Sequence, residues 1–259
     1  MLSKKKEKAQ VLATSKLAEG IYEMWLKTDM AAERGAGRFI ALYPKDGATL
    51  LPRPISICEQ DAERGALRIV YRVTGKGTRE FSTCREGDTV EILGILGNGY
   101  PLKEAEGKTA LLMGGGIGIP PLLELAKELE HCEKKIVLGY RDAELFLKED
   151  LTKYGRVFIA TEDGSVGTKG NVLDAVRENK LNADLIYACG PMPMLRAVKS
   201  YAAQKQIPAW ISLEERMACG VGACLGCVCK TVREDAHSHV HNARICTDGP
   251  VFLAEDVDI

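Results

Sequence analysis

This chain of 259 residues lacks long apolar runs and an excess of either charge. No apolar stretch approaches the roughly 20 residues that a membrane helix needs, and no charged-then-apolar leader opens the chain. With 35 Lys and Arg against 36 Asp and Glu, the formal net charge of -1 gives no electrostatic basis for binding nucleic acid. We therefore expect no membrane span, no nucleic-acid partner and a cytoplasmic location.

Cysteine, in contrast, is present nine times, and four of the nine form a pattern. The spacing C-x4-C-x2-C with a distant fourth cysteine is typical of plant-type [2Fe–2S] ligands. Three interspersed glycines let such a loop turn tightly and aim backbone N–H groups at sulfur. A zinc site or a disulfide framework is the alternative, but zinc sites usually show paired C-x2-C and disulfides are rare in the cytoplasm. The predicted metal ligands are Cys219, Cys224, Cys227 and Cys246.

The remaining cysteines are expected to stay reduced. Cys229 lies two residues beyond Cys227, and we expect it to be a small buried hydrophobic residue that points away from the metal.

The pattern of apolar residues differs between the two halves of the chain. Short apolar segments bounded by Gly, Pro, Asp or Lys predict an antiparallel barrel, with strands at 10–15, 21–27, 38–42, 55–58, 67–73 and 89–93. After residue 108, strands alternate with helices, which predicts a parallel sheet covered on both faces. The strands are expected at 109–113, 136–140, 157–161 and 185–189, and the helices at 122–129, 142–153, 170–178 and 193–206.

The chain is thus predicted to be multidomain. We expect an antiparallel β-barrel domain over residues 1–102, an α/β parallel-sheet domain over 103–209 and a small C-terminal [2Fe–2S] module over 210–259.

A glycine-rich loop, Gly114-Gly115-Gly116-Ile117-Gly118, lies where the first parallel strand leads into a helix. Glycines there let the backbone approach a ligand, and the start of the helix offers free N–H groups to a pyrophosphate. The loop is not a G-x-G-x-x-G motif, because it ends in two prolines, and a purely structural turn is the alternative.

A second loop, Cys189-Gly190-Pro191, follows the last predicted parallel strand. Ligands bind at the carboxyl ends of such strands, so both loops are expected to border one crevice.

In the barrel half, the tetrapeptide Arg53-Pro54-Ile55-Ser56 joins a fixed positive charge to a hydroxyl group. Arg53 can form a fork on a phosphate, and Ser56 can direct a short donor at a ring nitrogen. Taken alone, such a tetrapeptide proves nothing.

Two further stretches in the barrel half offer an aromatic face, a second cation and a glycine turn with exposed amides. They are Val70-Tyr71-Arg72 and the turn that contains Gly77 and Thr78. A strand that runs into a hairpin turn is the alternative, and we favour it when these residues are considered alone.

In this order the motifs resemble the ferredoxin reductase superfamily, in which a flavin barrel with Arg-x-x-Ser precedes a nicotinamide domain with G-x-G-x-x-P and Cys-Gly-Pro loops. The segment from Ser212 to Cys219 and beyond resembles the iron–sulfur module of dihydroorotate dehydrogenase B electron transfer subunits. The resemblance implies FAD at Arg53, Pro54, Ile55, Ser56, Val70, Tyr71, Arg72, Gly77 and Thr78. It also implies NAD at Gly114, Gly115, Gly116, Gly118, Cys189, Gly190 and Pro191.

Two departures from the superfamily matter. Many members have Tyr where this chain has Ile55, so we expect Tyr71 to supply the stacking ring instead. The mixed charge of Arg141, Asp142 and Glu144 does not fit a 2′-phosphate pocket, which favours NADH over NADPH.

The resemblance implies an NAD-linked oxidoreductase subunit that serves pyrimidine (UMP) biosynthesis. Its partner would be an FMN-containing dihydroorotate dehydrogenase catalytic subunit, in a heterotetramer with two copies of each chain. No residue is expected to act as a catalytic acid or base, because the cofactors carry the redox chemistry.

One alternative is an NAD(P)H reductase subunit for a ferredoxin, hydrogenase or oxygenase, although some of those carry Asp where this chain has Cys219. Another is a flavin-free module that senses redox state, against which the Arg53 to Ser56 motif argues.

Three alternate histidines, His237, His239 and His241, lie between the third and fourth cluster ligands. An extended backbone would place all three imidazoles on one face, as a metal site requires. An exposed polar loop is the favoured alternative, and we assign these residues no role.

Overall fold

The structure is a computed structural model that describes residues 4–33, 35–234 and 239–259. Its first part contains β1 (Lys5–Ala18), β2 (Ile21–Lys27), β3 (Phe39–Tyr43), β4 (Arg53–Asp61), β5 (Ala66–Arg72) and β6 (Thr89–Leu96). These strands close into a barrel in the order β1-β2-β5-β4-β3-β6, with every pairing antiparallel. Alternate side chains such as Met24 and Leu26 on β2 are fully buried in its interior, so the predicted barrel is confirmed.

The prediction of a hairpin turn after β5, which we favoured for these residues considered alone, is wrong. The chain instead forms helix α1 (Lys76–Phe81), which begins after Gly75. The hydroxyl of Thr78 accepts hydrogen bonds from the backbone N–H groups of Thr74 at 3.0 Å and Gly75 at 3.2 Å. These bonds satisfy amides at the start of a helix, which explains why the chain turns into α1 here.

The second part is built on parallel strands. They are β7 (Thr109–Gly115), β8 (Glu133–Tyr140), β9 (Arg156–Thr161), β10 (Thr168–Lys169), β11 (Leu185–Cys189) and β12 (Ala209–Ser212). The helices are α2 (Pro121–Glu128), α3 (Lys148–Thr152), α4 (Val172–Glu178) and α5 (Met192–Lys205). The predicted alternation of strand and helix is confirmed, although α3 is shorter than expected because Leu147, with φ of 63°, precedes it.

The C-terminal part contains β13 (Val228–Lys230), β14 (Asn242–Arg244) and β15 (Val251–Leu253). β13 and β14 form a small antiparallel hairpin, whereas β15 joins the large sheet, whose order is β10-β9-β8-β7-β11-β12-β15. β15 is antiparallel to β12. The predicted boundary between residues 209 and 210 falls inside β12. Because β12 and β15 both belong to the large sheet, the sheet holds the cluster segment at both of its ends. The division into domains stays a prediction.

Ion pairs fix the barrel to the sheet. The guanidinium group of Arg68 on β5 lies 2.6 Å from Glu23 on β2 and 3.1 Å from Asp150 on α3. Glu59 on β4 lies 3.4 Å from the same group, so three carboxylates surround this largely buried guanidinium.

A second contact joins β4 to α2. The backbone N–H of Gln60 donates to Glu124 at 2.7 Å, and the ammonium of Lys127 donates to the carbonyl of Gln60 at 2.7 Å. Burial raises the pKa of Glu124 to about 7, an effect that the hydrogen bond from Gln60 opposes. These contacts join β4 of the barrel to helix α2 of the second part.

Within the part of the chain that the structure describes, no helix combines the length and apolar character that a bilayer crossing requires.

Candidate functional site

A cleft of about 500 Å³ opens between the barrel and the segment that follows β12, and we call it the barrel cleft. Its barrel side is lined by residues 53–56 and 70–72, together with Thr78. Its opposite side is formed by residues 212–217. The structure thus brings both predicted barrel motifs to one cavity, although they are separated along the chain.

Arg53 at the start of β4 is a free positive charge in this cleft. Its Nη1 donates to the Leu51 carbonyl at 2.6 Å, and no carboxylate pairs with it among the described residues. Gly77 does not line the cleft; a Cβ there would lie 3.0 Å from Arg53 Nε and 3.0 Å from Pro44 Cγ. Gly77 therefore leaves room for the guanidinium group, which is suited to an anionic ligand such as a pyrophosphate.

Tyr71 lines the cleft as a residue, but its side chain belongs to the barrel core. The ring is 1% exposed, stacks on Tyr22 with centroids 6.4 Å apart and meets the edge of Phe81. Its hydroxyl oxygen is buried and has no hydrogen-bond partner within the described residues, and burial raises its pKa. Because the ring packs in the barrel core, it has no exposed face, and the stacking on a flavin that the sequence predicts for Tyr71 stays a prediction.

These features fit a flavin dinucleotide. The cleft offers an unpaired guanidinium for phosphate and the side chain of Ser56, within a cavity of the size that cofactor sites usually have.

A second cleft of about 550 Å³ lies at the carboxyl ends of β7, β8, β9 and β11, and we call it the sheet cleft. Of the predicted residues, Gly115, Gly116, Gly190 and Pro191 line it. Its position at the carboxyl ends of parallel strands is where ligands of this architecture bind.

The other predicted residues of these loops serve close packing. A Cβ on Gly118 would lie 2.3 Å from the Cys189 carbonyl oxygen, and one on Gly114 would lie 2.7 Å from Leu122 Cδ1. Gly114, Gly118 and Cys189 do not line the cleft. They allow the two loops to meet, while Gly116, at φ of 53°, lines the sheet cleft.

The two clefts meet at three residues that line both, namely Arg72, Ile117 and Glu214. Although Glu214 as a residue is exposed, protein atoms crowd its carboxyl group, and this desolvation raises its pKa while the charge of Arg72 opposes the shift. Ligands bound in the two clefts would therefore meet between opposite charges.

The cluster loop, residues 219–227, directs backbone amides at sulfur. The N–H groups of Val221, Ala223 and Cys224 donate to the Cys219 sulfur at 3.3–3.4 Å. Burial opposes ionisation of this thiol, but these hydrogen bonds more than offset it and lower its pKa to about 6. The loop is therefore suited to a thiolate.

The predicted ligands lie in two pairs. Burial and contact with Cys227 raise the pKa of Cys246 to about 12, so these two thiols lie together, as Cys219 and Cys224 do. No group of three or more Cys, His, Asp or Glu side chains converges on one point within the described residues. Two thiolates for each of two irons is the arrangement of a [2Fe–2S] cluster, so this donor set would fit that group.

Glycines shape this loop as the sequence predicts. Gly220 and Gly222 adopt φ of 67° and 86°, and a Cβ on Gly226 would lie 3.4 Å from the Cys224 sulfur. Cys229 is half-buried on β13 against the core, as expected.

The histidines lie at the edge of what is described. His239 Nδ1 is 3.0 Å from Glu234 Oε1 in an exposed position. His237 lies outside the described residues, so the spatial relation of the three imidazoles stays untested.

Sequence reasoning missed Glu214 and the rest of residues 212–217, which connect β12 to the cluster loop along the barrel cleft. It also missed Glu162 in the sheet cleft, and it considered Arg141 only for the choice between NADH and NADPH. A signal existed for Glu162, since it directly follows a predicted strand whose carboxyl end borders the crevice.

Comparisons with known proteins agree with this geometry. A family model described as the iron–sulfur cluster binding domain of dihydroorotate dehydrogenase B matches residues 214–258. A protein of Bacillus velezensis named dihydroorotate dehydrogenase B (NAD(+)), electron transfer subunit, is 42% identical over 98% of this chain and 99% of its own length. A protein of the same name from Bacillus pumilus is 44% identical over 98% of each chain.

Solved structures show the same fold. A chain from a structure of NADH-dependent reduced ferredoxin-NADP oxidoreductase superposes with a TM-score of 0.86 and 28% identity, over 96% of this chain and 89% of that one. The ferredoxin reductase of carbazole 1,9a-dioxygenase superposes with a TM-score of 0.66 at 21% identity, over 80% of this chain and 68% of that one, and this likeness concerns the fold alone.

Proposed function

Because the chain belongs to the family of dihydroorotate dehydrogenase B (NAD⁺) electron transfer subunits, we propose that its three sites act in series between a catalytic partner and NAD⁺. It is the electron transfer subunit of an NAD-linked oxidoreductase, with FAD, a [2Fe–2S] cluster and NAD as its cofactors. The alternative role as a reductase subunit for a ferredoxin, hydrogenase or oxygenase is not favoured by the relatives.

The single observation that carries the proposal is the continuity of the sites. The sheet cleft and the barrel cleft share Arg72, Ile117 and Glu214, and residues 212–217 run from that junction to the cluster loop. When bound, a nicotinamide exchanges hydride with a flavin, and a [2Fe–2S] cluster exchanges single electrons. Every residue of the series is therefore placed to bind and orient rather than to transfer protons.

In the barrel cleft, Arg53 would hold a phosphate, while Ser56 would donate or accept a hydrogen bond at a polar atom of the flavin. Pro54, Ile55, Val70 and Arg72 complete this wall. In the sheet cleft, the backbone at Gly115 and Gly116 would receive the nicotinamide dinucleotide. Cys189 is buried, and burial raises the pKa of its thiol, so it stays neutral beside the junction.

The family name implies a catalytic partner subunit. We propose that this partner carries FMN, oxidises dihydroorotate and assembles with this chain as a heterotetramer in the cytoplasm. The cluster loop supports the contact, because Val221 is 39% exposed and Leu225 is 62% exposed beside the predicted ligands. Exposed apolar side chains next to a redox centre favour a protein partner over open solvent.

The proposal is tested with purified, cofactor-loaded chain before and after the catalytic subunit is added. Alone, the chain should contain FAD and two irons per molecule and should reduce an artificial dye with NADH, without oxidising dihydroorotate. Addition of the partner should restore dihydroorotate-dependent reduction of NAD⁺. Oxidation of dihydroorotate by this chain without a partner would contradict the division of labour.

A further inference from the structure

Helix α2 contacts the barrel through charged side chains that bind backbone groups. Glu124 Oε2 accepts a hydrogen bond from the Gln60 N–H at 2.7 Å, and Lys127 Nζ donates to the carbonyl of the same residue at 2.7 Å. One turn beyond Glu124, the carboxylate of Glu128 accepts hydrogen bonds from two backbone N–H groups of the loop before β3, at 3.2 and 3.0 Å. We call the interactions of these three side chains the α2–barrel contact.

The peptide groups of Gln60 depend on this contact. β3 pairs with β4 from Arg53 to Ser56, and Ile57 continues this pairing, so Gln60 lies beyond it. Glu124 is only 3% exposed, which means that its hydrogen bond to Gln60 is shielded from water. A buried N–H without an acceptor is costly, so Glu124 fixes the place at which α2 can pack on β4.

The two elements that the contact joins each carry one of the clefts. β4 begins with Arg53 and contains Ser56, and both line the barrel cleft. α2 follows the glycine loop, in which Gly116 lines the sheet cleft and Ile117 lines both clefts. A displacement of α2 on β4 would therefore move the glycine loop relative to the barrel wall.

We propose that Glu124 is a positioning residue for hydride transfer, because it holds α2 against Gln60 and so sets where the nicotinamide lies relative to the flavin. This step rests on the proposed function. Glu124 lines neither cleft and acts only through the peptide and the helix that it joins. Hydride transfer depends steeply on the distance between the reacting atoms, and a misplacement of about 1 Å can slow a reaction about a hundredfold.

α2 packs against β4, β7 and α3, and these elements surround Glu124 with mixed charge. The nearest cation is Lys127 Nζ, at 3.6 Å from Glu124 Oε2. The other charged or titratable groups there, among the described residues, are Glu128 on α2, Cys58 and Glu59 on β4, Glu33 in the loop before β3, and Asp150 on α3, which pairs with Arg68 and Lys153. β7 has no charged residue.

This environment makes the contact sensitive to pH. Burial raises the pKa of Glu124 to about 7, and the hydrogen bond from Gln60 and the charge of Lys127 oppose this shift. The nearby carboxylates of Glu128 and Glu59 support it. A neutral carboxyl group still accepts a hydrogen bond through its carbonyl oxygen. The contact is therefore most stable while Glu124 is neutral, and it weakens as the pH rises through this pKa.

The test follows the reduction of the flavin by NADH in the cofactor-loaded protein by stopped-flow absorbance. It gives the limiting rate at saturating NADH and the NADH concentration at half of that rate, from about pH 6 to about pH 8.5, on either side of this pKa. Glu124→Gln keeps the acceptor without the charge, Glu124→Leu removes the acceptor, and Lys127→Met removes the ammonium group. Glu130→Gln is the control, because this residue is exposed beyond the end of α2 and lines neither cleft.

In the wild type we expect the limiting rate to fall about fivefold across this range, whereas Glu124→Gln should keep the rate of low pH throughout. Glu124→Leu should be about tenfold slower at every pH, while the NADH concentration at half of the rate changes less than about twofold, because the nicotinamide site itself is intact. Lys127→Met should move the midpoint of the fall to higher pH, since loss of its charge makes ionisation of Glu124 harder. Glu130→Gln should match the wild type.

A wild-type limiting rate in folded Glu124→Leu overturns this inference alone, and so does a variant that loses only affinity for NADH. A fall with pH in Glu124→Gln that parallels the wild type overturns the link between Glu124 and pH. If Glu124→Leu does not fold, Lys127→Met decides, and an unchanged midpoint in that variant overturns the inference. A wild type whose flavin is not reduced by NADH overturns the proposed function, and this inference with it.

Discussion

The cluster loop and the sheet cleft bind their ligands by opposite means. At the predicted cluster site, three cysteines of the loop and Cys246 lie within 28 residues of sequence and would supply the donors, and the backbone of the loop turns to serve them. In the cleft, glycine backbone and residues from the ends of four strands form the surface, and no single stretch of sequence contains it. A site made of side chains can therefore be found from spacing, whereas a site made of backbone depends on the fold that assembles it.

Because of this difference, we expect substitutions in the cluster loop and in the glycine loop of the sheet cleft to have different effects. Loss of one side chain in the loop should remove the ligand and leave the fold elsewhere intact. Replacement of a glycine by alanine in the loop beside the sheet cleft should disturb the packing of the two loops more than the binding of the nicotinamide dinucleotide.

The largest effect is expected at the cluster ligands. Replacement of Cys219, Cys224, Cys227 or Cys246 by Ser removes a thiolate from a four-ligand site and should abolish the cluster. Iron content and the long-wavelength absorbance bands measure this directly. Cys229→Ser is the control, because this half-buried cysteine on β13 packs against the core and is not a predicted ligand. Retained iron in Cys246→Ser together with lost iron in Cys229→Ser would refute the assignment.

The next effect concerns the glycine loop, where two glycines make a matched pair. Gly118→Ala would place a Cβ 2.3 Å from the Cys189 carbonyl oxygen and should destabilise the protein by about 4 kcal/mol or more. Gly116→Ala meets no atom closer than Arg72 Nη2 at 3.5 Å, so only its φ of 53° costs free energy, about 1–2 kcal/mol. Thermal denaturation of both variants measures the difference.

Equal melting temperatures for the two variants would show that the two loops do not approach each other as closely as described. A large loss in Gly116→Ala alone would mean that backbone strain, rather than loop packing, limits this region.

The same difference between local side-chain signals and assembled backbone explains which parts of the structure could be predicted from the sequence. The barrel strands and the parallel strands were predictable, because their apolar residues and turn residues are local signals. The cluster ligands are assigned from spacing, and this assignment stays a prediction. Helix α1 was not, because it depends on the hydroxyl of Thr78 reaching back to two amides, which competes with a turn of similar sequence.

Glu214 and Glu162 could not be assigned from sequence for a different reason. Each is a single acidic residue after a strand, and only the strand order places Glu214 between two clefts and Glu162 in the sheet cleft. The union of β12 with β15 across the cluster segment was likewise missed, because the two strands are separated by the whole loop and its hairpin.

A smaller effect is expected in the barrel cleft, where both side chains and strands that are distant in sequence form the site. Arg53→Ala removes a charged fork from a pyrophosphate and should weaken FAD retention by about 2–3 kcal/mol, as lost hydrogen bonds to charged groups usually do. Flavin released on gel filtration measures the loss, and iron should be retained. Arg85→Ala, an exposed arginine of the barrel that does not line the cleft, is the control. Full FAD content and normal NADH-dependent dye reduction in Arg53→Ala would contradict the role of this cleft.

The smallest effect is expected at the exposed face of the cluster loop, where Leu225 is not a predicted cluster ligand. Leu225→Glu places a charge on an exposed apolar position and should weaken the contact with the catalytic partner by about 1–2 kcal/mol, because a charge at an interface core is poorly solvated. Dihydroorotate-dependent reduction of NAD⁺ at limiting partner should therefore fall, while NADH-dependent dye reduction by the chain alone should not. Leu50→Glu, at a leucine that is 83% exposed in the loop before β4, is the matched control and should leave both activities unchanged. If Leu225→Glu retains both activities equally, the partner does not dock on this face, and electrons must leave the cluster by another side of the loop.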